Sequence, residues 1–384
     1  MKRKVLSALL SVAMVATLLV GCGSKTEEAA PAAEPAAEEA APAEEAAPAE
    51  EAAATEEVAP AAEGEMLIYL VSKGFQHQYW QAVYQGAQEA AAELGVKMEM
   101  VGPATESDIA DQVQMLNNAI NLKPAAIGLA ALDTEACLDL IQTAMDSKIP
   151  IIGFDSGVPS APEGAVYANA STDNYAAGEL AAEETYKLIE SKIADATATV
   201  RIGVMSQDAT SESIVNRGQG FIDKMKSLIE ATGKTVSVEG HDKFAAKVDG
   251  ANVVIDVAVP AAVTAEASAT DGMNLLNKAD IIAVYASNQH SGEALVNANA
   301  NLNKLGADGI VGVAFDSGQV IKTAVKDGTL VGAVTQDPLS IGRKTVELAV
   351  AAAKGEAVAD VDTGCQWYTA DNMEDPKIAP NLYD

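Results

Sequence analysis

The sequence predicts an α/β protein made of two parallel-sheet units. Short β-rich runs alternate with helix-patterned stretches, and that series runs through the chain twice. The residues just after the strand runs are unusually polar, as expected where two lobes face each other across a cleft.

The N-terminus comes first. Lys2, Arg3 and Lys4 precede an apolar stretch from Val5 to Val20 that is too short for an ordinary membrane span, so residues 1–21 are expected to be a signal peptide for export. It ends in Leu19-Val20-Gly21-Cys22, which resembles the lipobox of bacterial lipoproteins. That resemblance implies a lipid-modified Cys22 as the first mature residue; the alternative is a signal anchor that leaves Cys22 unmodified. Residues 24–65 are almost wholly Ala, Glu and Pro, with thirteen Glu and one Lys. Such a composition cannot bury enough apolar surface to offset its ordering entropy, so 22–65 is expected to be a disordered tether with a reach of roughly 35 Å.

Residues 66–384 hold −21 of the formal net charge of −30. So acidic a surface argues against a nucleic-acid partner, whose phosphates attract Lys and Arg. The length suits two domains, each with its own core. Besides Cys22 there are only Cys137, in an apolar helical stretch, and Cys365, near the C-terminus. Two free thiols are expected in preference to a pair.

Strands are predicted near 66–71, 96–101, 125–130 and 150–154, with helices near 77–94, 107–121 and 134–147 between them. The pattern resumes with strands at 200–205, 235–239, 281–286, 309–314 and 330–334 and helices near 213–231, 265–278, 289–304 and 317–327. A helix at 174–192 joins the two series, and another at 338–354 follows the last strand. Ligands of open parallel sheets sit beyond the carboxyl ends of the strands. The segments to inspect are therefore Lys73 to Trp80, Ala131 to Thr134 and Asp155-Ser156 in the first series, and Ser206 to Ser211, His241-Asp242, Ser287 to His290, Asp316-Ser317 and Gln336-Asp337 in the second. The chain is only 4% aromatic, yet Phe75, His77, Tyr79 and Trp80 crowd into the first of them.

Several motifs carry a resemblance over essentially all of 66–384: Gly86-Ala87; Pro150 to Ser156; Thr172-Asp173-Asn174 with Gly178; Arg217-Gly218-Gln219-Gly220-Phe221; Ala286-Ser287-Asn288; Val313 to Ser317; and Thr335 to Pro338 with Ile341-Gly342. In order and spacing they resemble the ribose-type sugar-binding proteins of bacterial ABC importers. The resemblance implies a type I periplasmic-binding fold of two doubly wound lobes with a hinge, 66–171 plus 337–357 forming the N-terminal lobe and 172–336 plus 358–384 the C-terminal lobe. It also implies an extracytoplasmic, lipid-anchored, monomeric protein that delivers a small sugar to a permease and ATPase complex.

Ligand contacts implied at matching positions are Asp155, Arg217, Asn288, Asp316 and Gln336, with Tyr79 and Trp80 at aromatic positions and His77 where an asparagine is common. The chemistry suits a sugar: carboxylates accept, a guanidinium donates and amides do both, which together satisfy hydroxyl groups. Each residue also has a structural alternative. Trp80 recurs with Val83, Tyr84 and Ala87 at helical spacing and fits a core; Asp155 and Asp316 suit caps after strands; Arg217 suits an ion pair.

Ser156 stands where ribose binders carry an arginine, and Val263 falls near the position of a second-lobe aromatic, so a different sugar or a polyol is expected. Val101 to Glu106, Gln112 to Gln114 and Leu116 to Asn118, with Lys73 and Asp155, also resemble the autoinducer-2 receptors, which lack the Arg217, Asn288, Asp316 and Gln336 set. A sensor for a membrane receptor is the other alternative. No nucleophile elbow, P-loop or dinucleotide turn occurs, and His77, His241 and His290 lack ligand spacing, so neither catalytic residues, cofactor nor metal is expected. Replacing the lipobox cysteine, Cys22→Ser, should release the protein from membranes, as read by fractionation and immunoblotting; continued retention would contradict the anchor.

Overall fold

A computed structural model of the chain describes residues 66–384. The expected signal peptide, Cys22 and the tether lie outside them. The first series folds as β1 (Leu67–Val71), α1 (Gln78–Leu94), β2 (Lys97–Val101), α2 (Ile109–Leu122), β3 (Ala126–Leu129), α3 (Leu138–Asp146), β4 (Ile151–Phe154) and β5 (Val166–Ser171). The second contains α4 (Asn174–Asp195), β6 (Val200–Met205), α5 (Glu212–Glu230), β7 (Val236–Gly240), β8 (Val253–Ala258), α6 (Ala265–Leu276), β9 (Ile281–Ala286), α7 (Gln289–Asn299), β10 (Val311–Phe315), α8 (Gln319–Lys326) and β11 (Gly332–Gln336). The chain ends with α9 (Pro338–Ala353), β12 (Val361–Asp362) and β13 (Cys365–Tyr368).

Two sheets result. The first runs β12-β5-β4-β3-β1-β2 with parallel pairings, and the second β13-β11-β10-β9-β6-β8-β7, parallel except for β13 against β11. Each is doubly wound, its order reversing beside β1 and beside β6. Inner strands such as β1, β3 and β4 are apolar on both faces because helices cover both sides.

Four short elements escape the sequence pattern. In β5, VYANAS, alternation leaves only small or polar residues on one face. In β8, VVIDVA, the β-branched run is broken by Asp256, which Arg201 Nη1 holds at 3.0 Å. Strands β12 and β13 add to sheet margins after α9. Pairing of Val361–Asp362 with β5 puts the start of the 358–384 segment alongside the first sheet, although the family resemblance implies that segment in the second lobe.

Glycines set how closely the helices approach. A Cβ on Gly86 of α1 would lie 2.0 Å from Leu339 O, and one on Gly342 of α9 would lie 1.9 Å from Val83 O. The same reciprocity holds between α4 and α5, where a Cβ on Gly178 would meet Arg217 O at 2.2 Å and one on Gly220 would meet Tyr175 O at 2.1 Å. Helix α9 thus returns to the first sheet and locks against α1, while α4 locks against α5 in the second lobe. The chain crosses between sheets after β5, after β11 and between β12 and β13.

Two stability measurements test this packing. Gly86→Val should cost about 3 kcal/mol by forcing α1 and α9 apart, visible as a lower urea midpoint with an unchanged slope. His290, in the first turn of α7, lies 2.9 Å from Ser268 Oγ on α6. Burial, then neighbouring His77, push its pKa down to about 4 from the ordinary 6.5. The unfolded chain therefore takes up this proton before the folded one does. Stability is full above the unfolded value and falls as pH drops from 6.5 toward 4, by up to about 3 kcal/mol. A His290→Gln variant should lose correspondingly less stability on acidification than wild type.

Candidate functional site

Both doubly wound sheets aim their strand ends at one cleft. The loops after β1 and β3 flank the reversal point of the first sheet, and those after β6 and β9 flank that of the second. Two further strands end in the same four residues, Phe154-Asp155-Ser156-Gly157 and Phe315-Asp316-Ser317-Gly318. Asp155 and Asp316 have left-handed backbones, φ 58° and 71°. For a non-glycine residue that conformation is strained by about 1–2 kcal/mol. Neighbouring strands hold it: Asp155 N donates to Ala170 O at 3.1 Å and Asp316 N to Val334 O at 2.7 Å. Both side chains line the cleft.

Each buried carboxylate has a matched cation. Asp155 accepts from Tyr79 Oη at 2.6 Å and pairs with Lys73 Nζ at 3.3 Å. Asp316 accepts from Gln336 Nε2 at 2.6 Å and Gln289 N at 3.0 Å, with Arg217 Nη1 at 3.6 Å. Arg217 Nε donates to Asn174 Oδ1 at 2.8 Å, and its guanidinium lies 4.0 Å over the Phe315 ring. Burial pushes the Asp316 carboxyl up, more than Arg217 and the hydrogen bonds to its oxygens lower it. Burial would also lower Lys73 and Arg217, but their acidic neighbours, Asp155 first for Lys73 and Asp316 first for Arg217, hold both above their ordinary values.

The structure gathers all eight expected residues, His77, Tyr79, Trp80, Asp155, Arg217, Asn288, Asp316 and Gln336, around one cavity. Their surroundings differ. Trp80 is 1% exposed and meets Tyr79 and Phe154 edge to face, so most of its ring is core, as its helical spacing allows. Its indole N–H donates to Glu106 Oε1 at 2.7 Å. Asn288 caps α7, its Oδ1 accepting from Ser291 N at 3.0 Å, while its Nδ2 donates to Gln207 Oε1 at 2.7 Å. His77 stands edge to face with His290, ring centres 5.8 Å apart.

Glu106, Gln289 and Ile214 also line the cavity, as does Lys73. Sequence reasoning placed Glu106 only in the autoinducer-2 resemblance, placed Lys73 there and at the head of the segment after β1, and missed the side chain of Gln289, although it falls in the segment after β9. Val263 and His241 are not in the lining. Cys137 and Cys365 are both free. Among the described residues no group of three His, Cys, Asp or Glu is arranged to hold a metal ion.

Three lining oxygens are buried without a hydrogen-bond donor: Asp155 Oδ2, which has only its ion pair with Lys73, Gln289 Oε1 and Gln336 Oε1. Neither amide can be turned round. Gln336 Nε2 must face the Asp316 carboxylate, and Gln289 Nε2 must face Glu293 Oε1 at 2.8 Å. The cavity therefore offers acceptors that want donors, beside cations already paired. A buried acceptor left alone costs about 1–3 kcal/mol.

Comparison with known proteins agrees with this geometry. The periplasmic binding protein domain family matches residues 68–357. The ribose import binding protein RbsB of Salmonella typhimurium is 26% identical over 302 residues, which cover 76% of this chain and 86% of that protein. Among solved structures, an ABC transporter, LacI family transcriptional regulator from Brachyspira murdochii is 36% identical with a TM-score of 0.71, covering 84% of this chain and 100% of that one. A carbohydrate transporter solute-binding protein from Agrobacterium radiobacter in complex with D-arabinose is 29% identical with a TM-score of 0.70, over 84% of this chain and 100% of that one. An ABC transporter solute-binding protein from Agrobacterium vitis with bound D-fucose is 28% identical with a TM-score of 0.69, over 83% and 100%. With two doubly wound lobes and a shared polar cleft, the chain belongs to the periplasmic binding protein domain family.

Proposed function

We propose that this protein captures one small carbohydrate between its lobes, outside the cytoplasm, and delivers it to the permease and ATPase of an ABC importer. The observation that carries the reading is the set of donor-seeking oxygens, Asp155 Oδ2 from one lobe and Gln289 Oε1 and Gln336 Oε1 from the other, around one cavity. Sugar hydroxyls supply the missing donors, and a ligand spanning both lobes binds the closed arrangement better and so shifts the population toward it. Hinge closure around a ligand is the known behaviour of this family.

Ribose itself is not favoured. Ser156, where ribose binders carry an arginine, accepts from Ser213 N at 3.2 Å, and Val263 brings no aromatic face to the cavity. Another pentose, a hexose or a polyol fits better. Lys73 and Asp155, which carry the autoinducer-2 resemblance, are paired with each other beside the full Arg217, Asn288, Asp316 and Gln336 set, so a sugar accounts for more of the lining. The lobes act as a monomer, 66–171 with 337–362 against 172–336 with 363–384, tethered to the membrane through lipidated Cys22. The chemistry is binding without catalysis.

A thermal-shift screen with D-arabinose, D-fucose, D-allose, D-ribose, D-galactose and myo-inositol tests this. At a hundredfold excess over its Kd, the matching ligand adds about 2.7 kcal/mol to folded stability. Asp316→Asn should abolish that shift, and the bound ligand should be recovered chemically unchanged. If no carbohydrate or polyol moves the transition, the proposal fails.

A further inference from the structure

Gln289, the first residue of α7, lines the cavity. Its backbone N–H donates to Asp316 Oδ2 at 3.0 Å, which fixes where the side chain starts. The residue is 2% exposed. Its Nε2 donates to Gln78 Oε1, at the start of α1, and to Glu293 Oε1, one turn along α7, at 2.8 Å. Gly318 leaves room for that nitrogen, since a Cβ there would lie 2.7 Å from it. The other end of the amide, Oε1, is buried and meets no protein donor.

Glu293 sets this polarity. Gln78 is itself an amide and can turn to suit whichever end of Gln289 it meets. A carboxylate only accepts, so turning the Gln289 amide round would set its oxygen against the oxygens of Glu293. Glu293 is not in the cavity lining. In this it differs from Asp316, which fixes Gln336 Nε2 but lines the cavity itself. A side chain outside the cavity therefore decides which atom of Gln289 is left for a ligand.

We propose that Gln289 is a specificity-determining residue that accepts a hydrogen bond from one hydroxyl of the bound carbohydrate, and that Glu293 is a positioning residue that keeps the Gln289 amide turned for it. The inference rests on the sugar-binding reading and deepens it: at one ring position the site demands a donor. Fluorine is close to a hydroxyl in size but carries no proton, so a fluorine at that position is rejected. An unmet buried partner lowers affinity roughly 5- to 150-fold.

Isothermal titration calorimetry tests both roles, with the tightest binder among D-arabinose, D-fucose, D-allose, D-ribose, D-galactose and myo-inositol and with its monodeoxyfluoro derivatives. Gln289→Met should weaken the parent compound by about that factor, and at one ring position fluorine should then cost no further affinity. Glu293→Lys gives the amide oxygen a donor and turns Nε2 toward the cavity, so it should narrow the preference for hydroxyl over fluorine at that same position. Glu293→Gln, which still offers an acceptor, should keep the preference. Glu293→Lys carries the test if Gln289→Met does not fold. A Gln289→Met protein that binds the parent compound as tightly as wild type, or that prefers hydroxyl to fluorine as wild type does at every position, overturns the role of Gln289. A wild-type preference in Glu293→Lys overturns that of Glu293. Either result leaves the sugar-binding reading intact, whereas a wild-type protein that binds none of the six compounds sinks that reading and this inference with it.

Discussion

Burying charge in a closed cleft is the constraint on which this structure turns. Asp155, Asp316 and Glu106 are all nearly inaccessible to water, as are Lys73 and Arg217. Desolvating any one of them alone would cost several kcal/mol, and removing one member of a buried pair is strongly destabilising, by about 3–5 kcal/mol. The cations are therefore as much a requirement of the fold as of the site. Arg217 shows this best, because the close approach of α4 and α5 that places it depends on Gly178 and Gly220, which leave room for neighbouring backbone. Close packing of two helices thus sets the guanidinium above Phe315 and beside Asp316.

The two aspartates carry the same logic into the backbone. A left-handed aspartate at a strand end is strained, and such strain persists only where its surroundings over-determine it. Here the next strand takes the aspartate N–H in both lobes, through Ala170 O and Val334 O. Tyr79 on one side and Gln336 on the other then fix the carboxylates. The repeated Phe-Asp-Ser-Gly segments are the same device in two lobes.

Much of this was legible in the chain. Strands such as Leu67–Val71 and Ile281–Ala286 are continuous apolar runs because both faces are buried, and glycines at 86, 178, 220 and 342 fall inside the motifs that carry the family resemblance. What escaped has physical causes. In Val166–Ser171 only Val166 and Tyr167 favour a strand, and the rest is a strand because a neighbour supplies the ladder, while Asp256 disguises β8 until Arg201 is seen to neutralise it. In the site, strand-end position found Asp155, Asp316 and Gln336, but not which partner each takes. Trp80 and Asn288 line the cavity while their hydrogen bonds go to protein groups, a division that one-dimensional spacing does not encode.

Direct contacts across the cleft also bear on how closure can be reversible. A delivery protein has to open again, so the free-energy difference between its open and closed arrangements must be smaller than the ligand's preference for the closed one. Hydrogen bonds suit that requirement: each contributes about 1 kcal/mol net, because water replaces it on opening. An apolar interface of the same extent would have no such replacement and would hold the lobes shut. The polar character of the loop from Gln207 to Ser213, and of the residues it meets, keeps the two arrangements close enough in energy for one small ligand to decide between them.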